Sequence, residues 1–329
     1  MVTIKTIIDW FSAREIPFFH GEKAKLNQKI TKPRAIDCAK SNHITFINNK
    51  FKDQFQQLIY NTQSKIIIIK EDFVNESELK IKFSDIVFIV SSNPKKDLLE
   101  LFKAYFFQNQ DSKKNIINNQ SQVSSLAIIG DSISIGAFVV IEDNVKIGDD
   151  CVIGPNTIIK SDTVIGNNVI IGSNNVIGGV GFGYVKDEET NEYDQFPHLG
   201  KTIIEDNVHI GNNTCIDRGS LKDTIIRSGV KIDNLVHISH NVEIGKNSLI
   251  IACTMIAGSV TIGENSWLAP SSSIRNSVSI GKNVTVGLAS TVTKNIDEDK
   301  TIVGSPGMPL NDFTALRKYQ REIIKKVAK

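Results

Sequence analysis

The chain has 329 residues, of which 40% are hydrophobic and 22% are charged, and its formal net charge is +2. This length allows two domains with a core each, and the near-neutral charge without a basic stretch argues against nucleic-acid binding. The four cysteines are scattered without a C-x-x-C pair, which argues against a disulfide framework or a metal site and favours a reducing, cytoplasmic compartment. We expect no signal peptide and no membrane-spanning helix, because no stretch approaches roughly 20 uninterrupted apolar residues.

Residues 1–107 alternate between helical and strand patterns. A helical "TIIDWFSA" opens the chain, short strands follow at 43–47 and 65–70, and "PKKDLLELFKAYFF" predicts a closing helix. Strands that alternate with helices indicate a small sheet covered by helices. We therefore predict an α/β domain over 1–107, followed by a polar linker over 108–124.

A strict period of six dominates the rest of the chain. Isoleucine recurs at every sixth position from 129 to 177, the phase resumes at 204–216, and aliphatic residues keep it from 226 to 292. This period is neither that of a helix nor that of a half-buried strand, and it is typical of a parallel β-solenoid built from hexapeptides. The pattern predicts a mainly β domain over 125–309, with three hexapeptides in each triangular coil and about eight coils in all.

Two insertions and a terminal helix complete the organisation. Residues 178–203 and four extra residues near 217–222 interrupt the period, and a solenoid accommodates such insertions as loops, often on its binding face. Residues 310–329 predict an amphipathic C-terminal helix. Its apolar stripe comprises Phe313, Leu316, Ile323, Ile324 and Val327.

Several stretches together resemble one known family. "NHITFINNKF", the six-residue solenoid, "GGVGFGY", "TCIDRGSLKDTII", "VKIDNLVHISHNVEIG" and "IAGS" resemble the UDP-3-O-(3-hydroxyacyl)glucosamine N-acyltransferases of lipid A biosynthesis, over nearly the whole chain. The resemblance implies a left-handed β-helix and a homotrimer with active sites between subunits. It also implies transfer of an acyl group from a carrier thioester to the amino group of a nucleotide-linked amino sugar.

The chain departs from this family at positions that bear on the acyl donor. Ser277 stands where family members often carry a second histidine, and Thr291 and Thr293 stand where long-acyl members place methionines. Methionine suits an adaptable apolar groove, whereas threonine does not. In addition, "IVGSPGMP" (302–309) resembles the ending of hexapeptide enzymes that use acyl-coenzyme A. These features favour a short acyl group carried by coenzyme A.

The resemblance also implies a catalytic set. Amide formation from a thioester needs a general base near neutral pKa and a backbone N–H donor for the oxyanion. In "SHN", His240 falls two residues after the inward Ile238 and is the candidate base. Gly258 in "IAGS" is the candidate oxyanion donor. An acid could orient the base, and we expect Asp233 in this role, with Asp217 as the other candidate.

Three residues of the N-terminal domain are candidates for nucleotide binding. Phe46 and Asn49 match family residues that hold the base, since an aromatic face stacks on a base and an amide reads its edge. Phe51 stands near the place of a family tyrosine and lacks its hydroxyl, which leaves uracil or thymine as the base. Packing of Phe46 in the sheet is the structural alternative.

Three further residues are candidates for substrate contact near the solenoid. His237 and Asn241 flank the base in sequence, and His198 lies where the 178–203 insertion returns to the solenoid. Loop residues on a rigid scaffold often contact substrate. A solvated surface position is the structural alternative for His237.

The sequence therefore predicts an N-acyltransferase for cell-surface glycan synthesis, such as lipopolysaccharide or O-antigen. The expected substrates are a short acyl-CoA and a nucleotide-linked amino sugar, without a covalently bound cofactor or a metal. One alternative is the lipid A enzyme itself, which takes a long 3-hydroxyacyl chain from acyl carrier protein. The other alternative is a non-catalytic β-helical scaffold.

Overall fold

A computed structural model describes residues 2–106, 115–304 and 310–327. The chain forms two compact units, Met1–Asp111 and Ser112–Lys329. Within the described ranges, no helix is both long and apolar enough to cross a membrane.

The N-terminal unit is the predicted α/β domain. Its five-stranded sheet is parallel except for the antiparallel first strand. The strands, in spatial order, are Phe18–His20, Val87–Ser91, Ile66–Lys70, His43–Phe46 and Lys32–Pro33. The helices are Ile4–Ser12, Phe55–Asn61, Glu76–Lys82 and Pro94–Tyr105, with 3-10 helices at Asn49–Gln54 and Glu71–Phe73. Isoleucines 66–69 are fully buried, as expected of a central parallel strand that is covered on both faces.

The second unit is a parallel β-helix with three faces. Successive strands pass from the third face to the first, then to the second, and each strand pairs with its equivalent one coil away. The first face contains Gln122–Val123, Val140–Ile141, Ile158–Ile159, Val176–Gly179, Cys215–Asp217, His237–Ile238, Met255–Ile256, Ser273–Ile274 and Thr291–Val292. The second contains Ile128–Ile129, Lys146–Ile147, Val164–Ile165, Thr202–Ile204, Thr224–Ile226, Glu243–Ile244, Thr261–Ile262 and Ser279–Ile280. The third contains Ile116–Ile117, Ser134–Ile135, Val152–Ile153, Ile170–Ile171, His209–Ile210, Lys231–Ile232, Leu249–Ile250, Trp267–Leu268, Thr285–Val286 and Thr301–Ile302.

The period of six has the physical basis predicted from the sequence. The repeated aliphatic residues point inward and stack into one continuous core, in which Ile238 and Ile256, for example, are fully buried. The turns between faces need a left-handed backbone, which asparagine and aspartate tolerate best among residues with a side chain. Asn144 and Asn168 accordingly adopt φ of 60° and 53°.

The β-helix begins earlier than predicted. Ile116–Ile117 and Gln122–Val123 pair with the strands one coil further along, so residues 115–124 belong to the β-helix and not to a linker. The phase of six in fact continues backward through Val123 and Ile117, but the polar residues around them concealed it. The remaining part of the predicted linker, 108–114, lies outside the described residues.

Both insertions leave the β-helix at the same corner, between the first and the second face. The longer insertion follows the strand Val176–Gly179 and contains a hairpin of Tyr184–Lys186 with Tyr193–Gln195. The shorter one follows Cys215–Asp217 and ends at the strand Thr224–Ile226. We call this edge of the prism the insertion corner, and it also contains the turn after His237–Ile238.

The predicted C-terminal helix spans Leu310–Val327. Leu316, Ile323 and Ile324 of the predicted stripe are exposed. The side chains of Phe313 and Val327 lie outside the described part of the structure, as do residues 328–329.

Candidate active site

His240 and Gly258 meet at the insertion corner. The turns after the strands His237–Ile238 and Met255–Ile256 stack directly, since the Ser259 N–H donates to the His240 carbonyl at 2.9 Å. A Cβ on Gly258 would lie 2.8 Å from both Cε1 and Nε2 of His240. The imidazole therefore occupies the space that any other residue at 258 would fill. The two residues predicted as base and oxyanion donor are thus in contact.

The environment of His240 keeps its imidazole neutral. Burial lowers the pKa of His240 below its usual 6.5, and the positive charge that His198 can carry lowers it further. Nδ1 is buried and has no hydrogen-bond partner among the described groups. A half-buried, neutral imidazole with a free lone pair can accept a proton at neutral pH, which is what a general base needs.

His198 lies against the base. Its ring centroid is 5.2 Å from that of His240, with an interplanar angle of 80°. Its Nδ1 lies 2.9 Å from the Phe196 carbonyl, and its Nε2 is buried without a described partner. His198 is predicted to contact substrate, and the structure shows that its ring contacts the candidate base directly.

Asp217 and His237 form a second pair on the first face, and Asp217 also interacts electrostatically with His198. Asp217 Oδ2 lies 3.9 Å from His237 Nε2, which also contacts Ser239 Oγ at 3.0 Å. Burial raises the pKa of Asp217, and the charges of His237 and His198 partly oppose that rise. The half-buried Asp217 thus lies at the insertion corner with two imidazoles as electrostatic neighbours.

Within one chain, Asp233 lies at a different corner of the β-helix from His240. Its Oδ1 accepts from the backbone N–H and the side-chain amide of Asn234, at 2.8 and 2.9 Å, and its Oδ2 accepts from the Ala252 N–H at 3.2 Å. These bonds give Asp233 a part in stacking the turn between the third and the first face. Of the two acids considered from the sequence, only Asp217 lies at the insertion corner.

Asn241 binds the shorter insertion instead of facing open space. Its Oδ1 accepts from the Ser220 N–H at 2.7 Å, its Nδ2 donates to Ser220 Oγ at 2.8 Å, and its own N–H donates to Thr224 Oγ1 at 2.8 Å. Asn241 therefore ties the His240 turn to the shorter insertion, and its contact with substrate stays a prediction.

Arg218 of the "DRG" motif holds the two ends of the longer insertion in place. The Arg218 N–H donates to the Gly179 carbonyl at 2.7 Å, and its Nε donates to the Gly200 carbonyl at 2.8 Å. These two glycines stand near the two ends of that insertion. Gly219 is required for space, because a Cβ there would overlap the Lys222 carbonyl. Arg218 was not predicted as a functional residue, although the motif contains it.

The three nucleotide-binding candidates lie close together in sequence within the N-terminal unit. Phe46 ends a central strand and is half-buried against the core. Phe51 lies in the following 3-10 helix, and its side chain is 40% exposed. Asn49 begins that helix, and its side chain lies outside the described part of the structure. An exposed Phe51 ring is available for stacking, whereas Phe46 also serves the core.

The fold and the repeat define the class of this chain. Residues 126–161 and 144–179 match the family described as "Bacterial transferase hexapeptide (six repeats)". Two solved structures of UDP-N-acetylglucosamine acyltransferases, from Bacteroides fragilis and Francisella novicida, align with TM-scores of 0.52 at 25% identity. They cover 58% and 62% of this chain, and 71% and 73% of their own. The chain therefore contains the hexapeptide repeat of this family, and its fold is that of the left-handed parallel β-helix.

Sequence relatives point to one branch of this class. The chain is 59% identical over 133 residues to the UDP-3-O-acylglucosamine N-acyltransferase of Christiangramia forsetii, and 47% identical over 145 residues to UDP-3-O-acylglucosamine N-acyltransferase 2 of Legionella pneumophila. These matches cover 40% and 44% of this chain, and it spans only 39% and 42% of the length of the two relatives. The predicted resemblance to this family is confirmed.

Proposed function

We propose that the chain is an N-acyltransferase that acylates the amino group of a nucleotide-linked amino sugar. The observation that carries this proposal is the contact of the neutral imidazole of His240 with Gly258, at the corner where both insertions emerge. The names of the relatives support the same activity.

The reaction needs only proton transfer and oxyanion stabilisation. The amine nitrogen attacks the thioester carbonyl, and His240 takes the proton that the nitrogen loses as the N–C bond forms. The Gly258 N–H donates to no acceptor among the described residues, so it can hold the oxyanion of the tetrahedral intermediate. The C–S bond then breaks, and the imidazolium returns its proton to the thiolate.

The relatives favour UDP-3-O-acylglucosamine as the acceptor, which is the lipid A alternative of the sequence analysis. The expectation of a short acyl-CoA donor rests on Ser277, Thr291 and Thr293 and on the "IVGSPGMP" ending, and the comparisons lend it no support. We therefore propose the lipid A type of substrate, with a long-chain acyl carrier protein as the donor.

The N-terminal unit is proposed to hold the nucleotide. Phe51, with its exposed ring, would stack on the base, and Asn49 and Phe46 would complete the contact. The active assembly is proposed to be a homotrimer, because closed threefold association of triangular prisms buries their flat faces and leaves clefts between copies.

Transfer by the purified full chain tests the proposal. The acceptors are UDP-3-O-acylglucosamine and a dTDP-linked amino sugar, and the donors are acetyl-CoA, 3-hydroxybutyryl-CoA and a long-chain 3-hydroxyacyl carrier protein. We expect transfer from the long-chain carrier to the UDP acceptor, and loss of about 10²–10⁴-fold in kcat for His240→Ala. Transfer from coenzyme A donors alone would overturn the donor assignment. Unchanged transfer by His240→Ala would overturn the role of the base.

A further inference from the structure

His198 has a geometry that the proposed chemistry does not use. Its side chain is 9% exposed, yet it belongs to an insertion whose hairpin strands are exposed. The ring stands edge-to-face against His240. A histidine that was only a surface residue of the loop would be exposed to solvent.

The first glycines of the insertion make room for the His198 ring. A Cβ on Gly181 would lie 2.8 Å from His198 Nε2 and 3.0 Å from His240 Cβ, and a Cβ on Gly183 would lie 3.0 Å from His198 Cε1. The insertion therefore leaves the β-helix, passes over both rings, and returns to contribute one of them. This arrangement accounts for the alternating glycines of "GGVGFG".

The orientation of the His198 ring is fixed. The Phe196 carbonyl can only accept, so His198 Nδ1 carries the proton that is donated to it. In the neutral ring, Nε2 then carries a lone pair and is enclosed by glycine backbone and the His240 ring. The ring is held by the loop on one side and presented to His240 on the other.

We propose that His198 is a positioning residue for the proposed base, which holds the plane of the His240 imidazole and shields its buried side from water. This inference rests on the proposed function, in which His240 is the base. It reassigns His198 from substrate contact to an action through His240. It also makes the 178–203 insertion a part of the proton-transfer machinery.

The titratable neighbours of the two rings determine the expected pH dependence. They are Asp217 and His237, from adjacent strands of the first face. Burial and the charge of His198 both lower the pKa of His240. Removal of the His198 ring therefore raises the pKa of His240, and the acid limb of the kcat/KM profile moves to higher pH.

The test compares His198→Gln and His198→Ala in the full-length protein. Glutamine can still donate to the Phe196 carbonyl and occupies similar space, but it cannot take a charge. We expect His198→Gln to keep most of kcat above pH 8 while its acid limb moves to higher pH. We expect His198→Ala to lose about tenfold or more in kcat at every pH, because the base loses its support. His209→Gln, on the third face, is the matched control and should change neither quantity.

A second readout does not depend on turnover. NMR titration of ¹³Cε1-labelled histidine, with the signal assigned by His240→Asn, gives the pKa of His240 directly. The expected result is a higher pKa of His240 in both His198 variants and no change in His209→Gln. An unchanged pKa of His240 in both variants would overturn the positioning role, even if activity fell. If His240→Asn kept full activity while the His198 variants showed the expected pKa change of His240, the proposed base would be wrong. The contact between the two rings would still be supported.

Discussion

The absence of a side chain at Gly258 determines where the ring of His240, the proposed base, can lie. The His240 ring rests on the backbone of this residue, and the same turn offers a free N–H beside the ring. One position thus supplies both space for the proposed base and the proposed donor for the oxyanion. Glycine there has a steric reason that is separate from backbone conformation.

We predict that Gly258→Ala displaces the His240 ring and lowers kcat by about tenfold or more, because a Cβ would lie 2.8 Å from Nε2. Steady-state kinetics with the proposed substrates measure this effect. Gly179→Ala is the matched control at the same corner, since its Cβ would meet nothing closer than 3.5 Å. Equal kcat values for the two variants would show that the ring does not depend on residue 258.

The half-buried carboxyl group of Asp217 lowers the stability of the fold. Burial raises its pKa, so the ionised carboxylate is less favourable in the folded chain than in the unfolded one. Its contribution to stability is therefore unfavourable above the folded-state pKa. It vanishes as the pH falls below 3.8, its usual value, where both states are protonated.

We predict that Asp217→Asn raises Tm at pH 7 and that this gain shrinks as the pH falls towards 4. We also expect acyl transfer to fall, because His237 and His198 lose the negative charge of their neighbour. Thermal unfolding at a series of pH values measures the first two effects. Asp150→Asn, an exposed corner aspartate with φ of 56°, is the control and should show no comparable gain. A lower Tm for Asp217→Asn at pH 7 would contradict this interpretation.

The two insertions are held to the β-helix by different devices. Arg218 closes the longer insertion near its two ends, whereas Asn241 fastens the shorter one to the base turn. Loss of the Asn241 amide would leave the Ser220 N–H without its acceptor. An unsatisfied half-buried donor typically costs about 1–3 kcal/mol.

We predict that Asn241→Ala lowers the free energy of unfolding by about 1–3 kcal/mol more than Asn265→Ala does. Both residues lie in left-handed turns, with φ of 63° and 57°, so the conformational cost of alanine cancels in the comparison. The side chain of Asn265 has no hydrogen bond to the described residues. Hydrogen exchange should show faster opening of residues 218–223 in the Asn241 variant alone. Equal exchange rates in the two variants would contradict the role of Asn241 in holding the shorter insertion.

The elements that could be predicted from the sequence are those in which aliphatic residues recur at a regular spacing. The six-residue phase located the faces, and its two interruptions located the insertions. Polar residues conceal the phase around Ile117 and Val123, so the sequence predicts a linker where the structure has the first coil. The motifs that identified the family also contain most of the residues of the insertion corner.

Contacts between distant residues could not be predicted in this way. Asp233 precedes the base by seven positions, but it lies on another corner, while His198 is far away in sequence and touches the base. Chain spacing gives the coil and the face of a strand residue. It does not give the path of an insertion, which depends on contacts such as those of Gly181 and Arg218.

At the scale of the whole molecule, one continuous stack of aliphatic residues stabilises the β-helix. Ile256 is fully buried, and its strand pairs with those of Ile238 and Ile274 on either side. We predict that Ile256→Ala costs about 2–5 kcal/mol, because the cavity cannot collapse between rigid coils. Chemical denaturation measures this loss. Met255→Ala, which changes an outward side chain that is 40% exposed, should cost less than half as much, and equal costs would argue against a core made of the inward column.

The spacing of paired coils has a consequence for folding. Most strands pair with a partner 18 residues away, but Asn168 and Asn207, which face each other across the longer insertion, are 39 residues apart. Closing that larger loop costs about 0.7 kcal/mol more in chain entropy. Because coils are added to their neighbours one at a time, we expect this step to be slower than the addition of an ordinary coil. We therefore expect the two halves of the β-helix to form first and to join at the coil from which the longer insertion emerges, so that the insertion corner is assembled last.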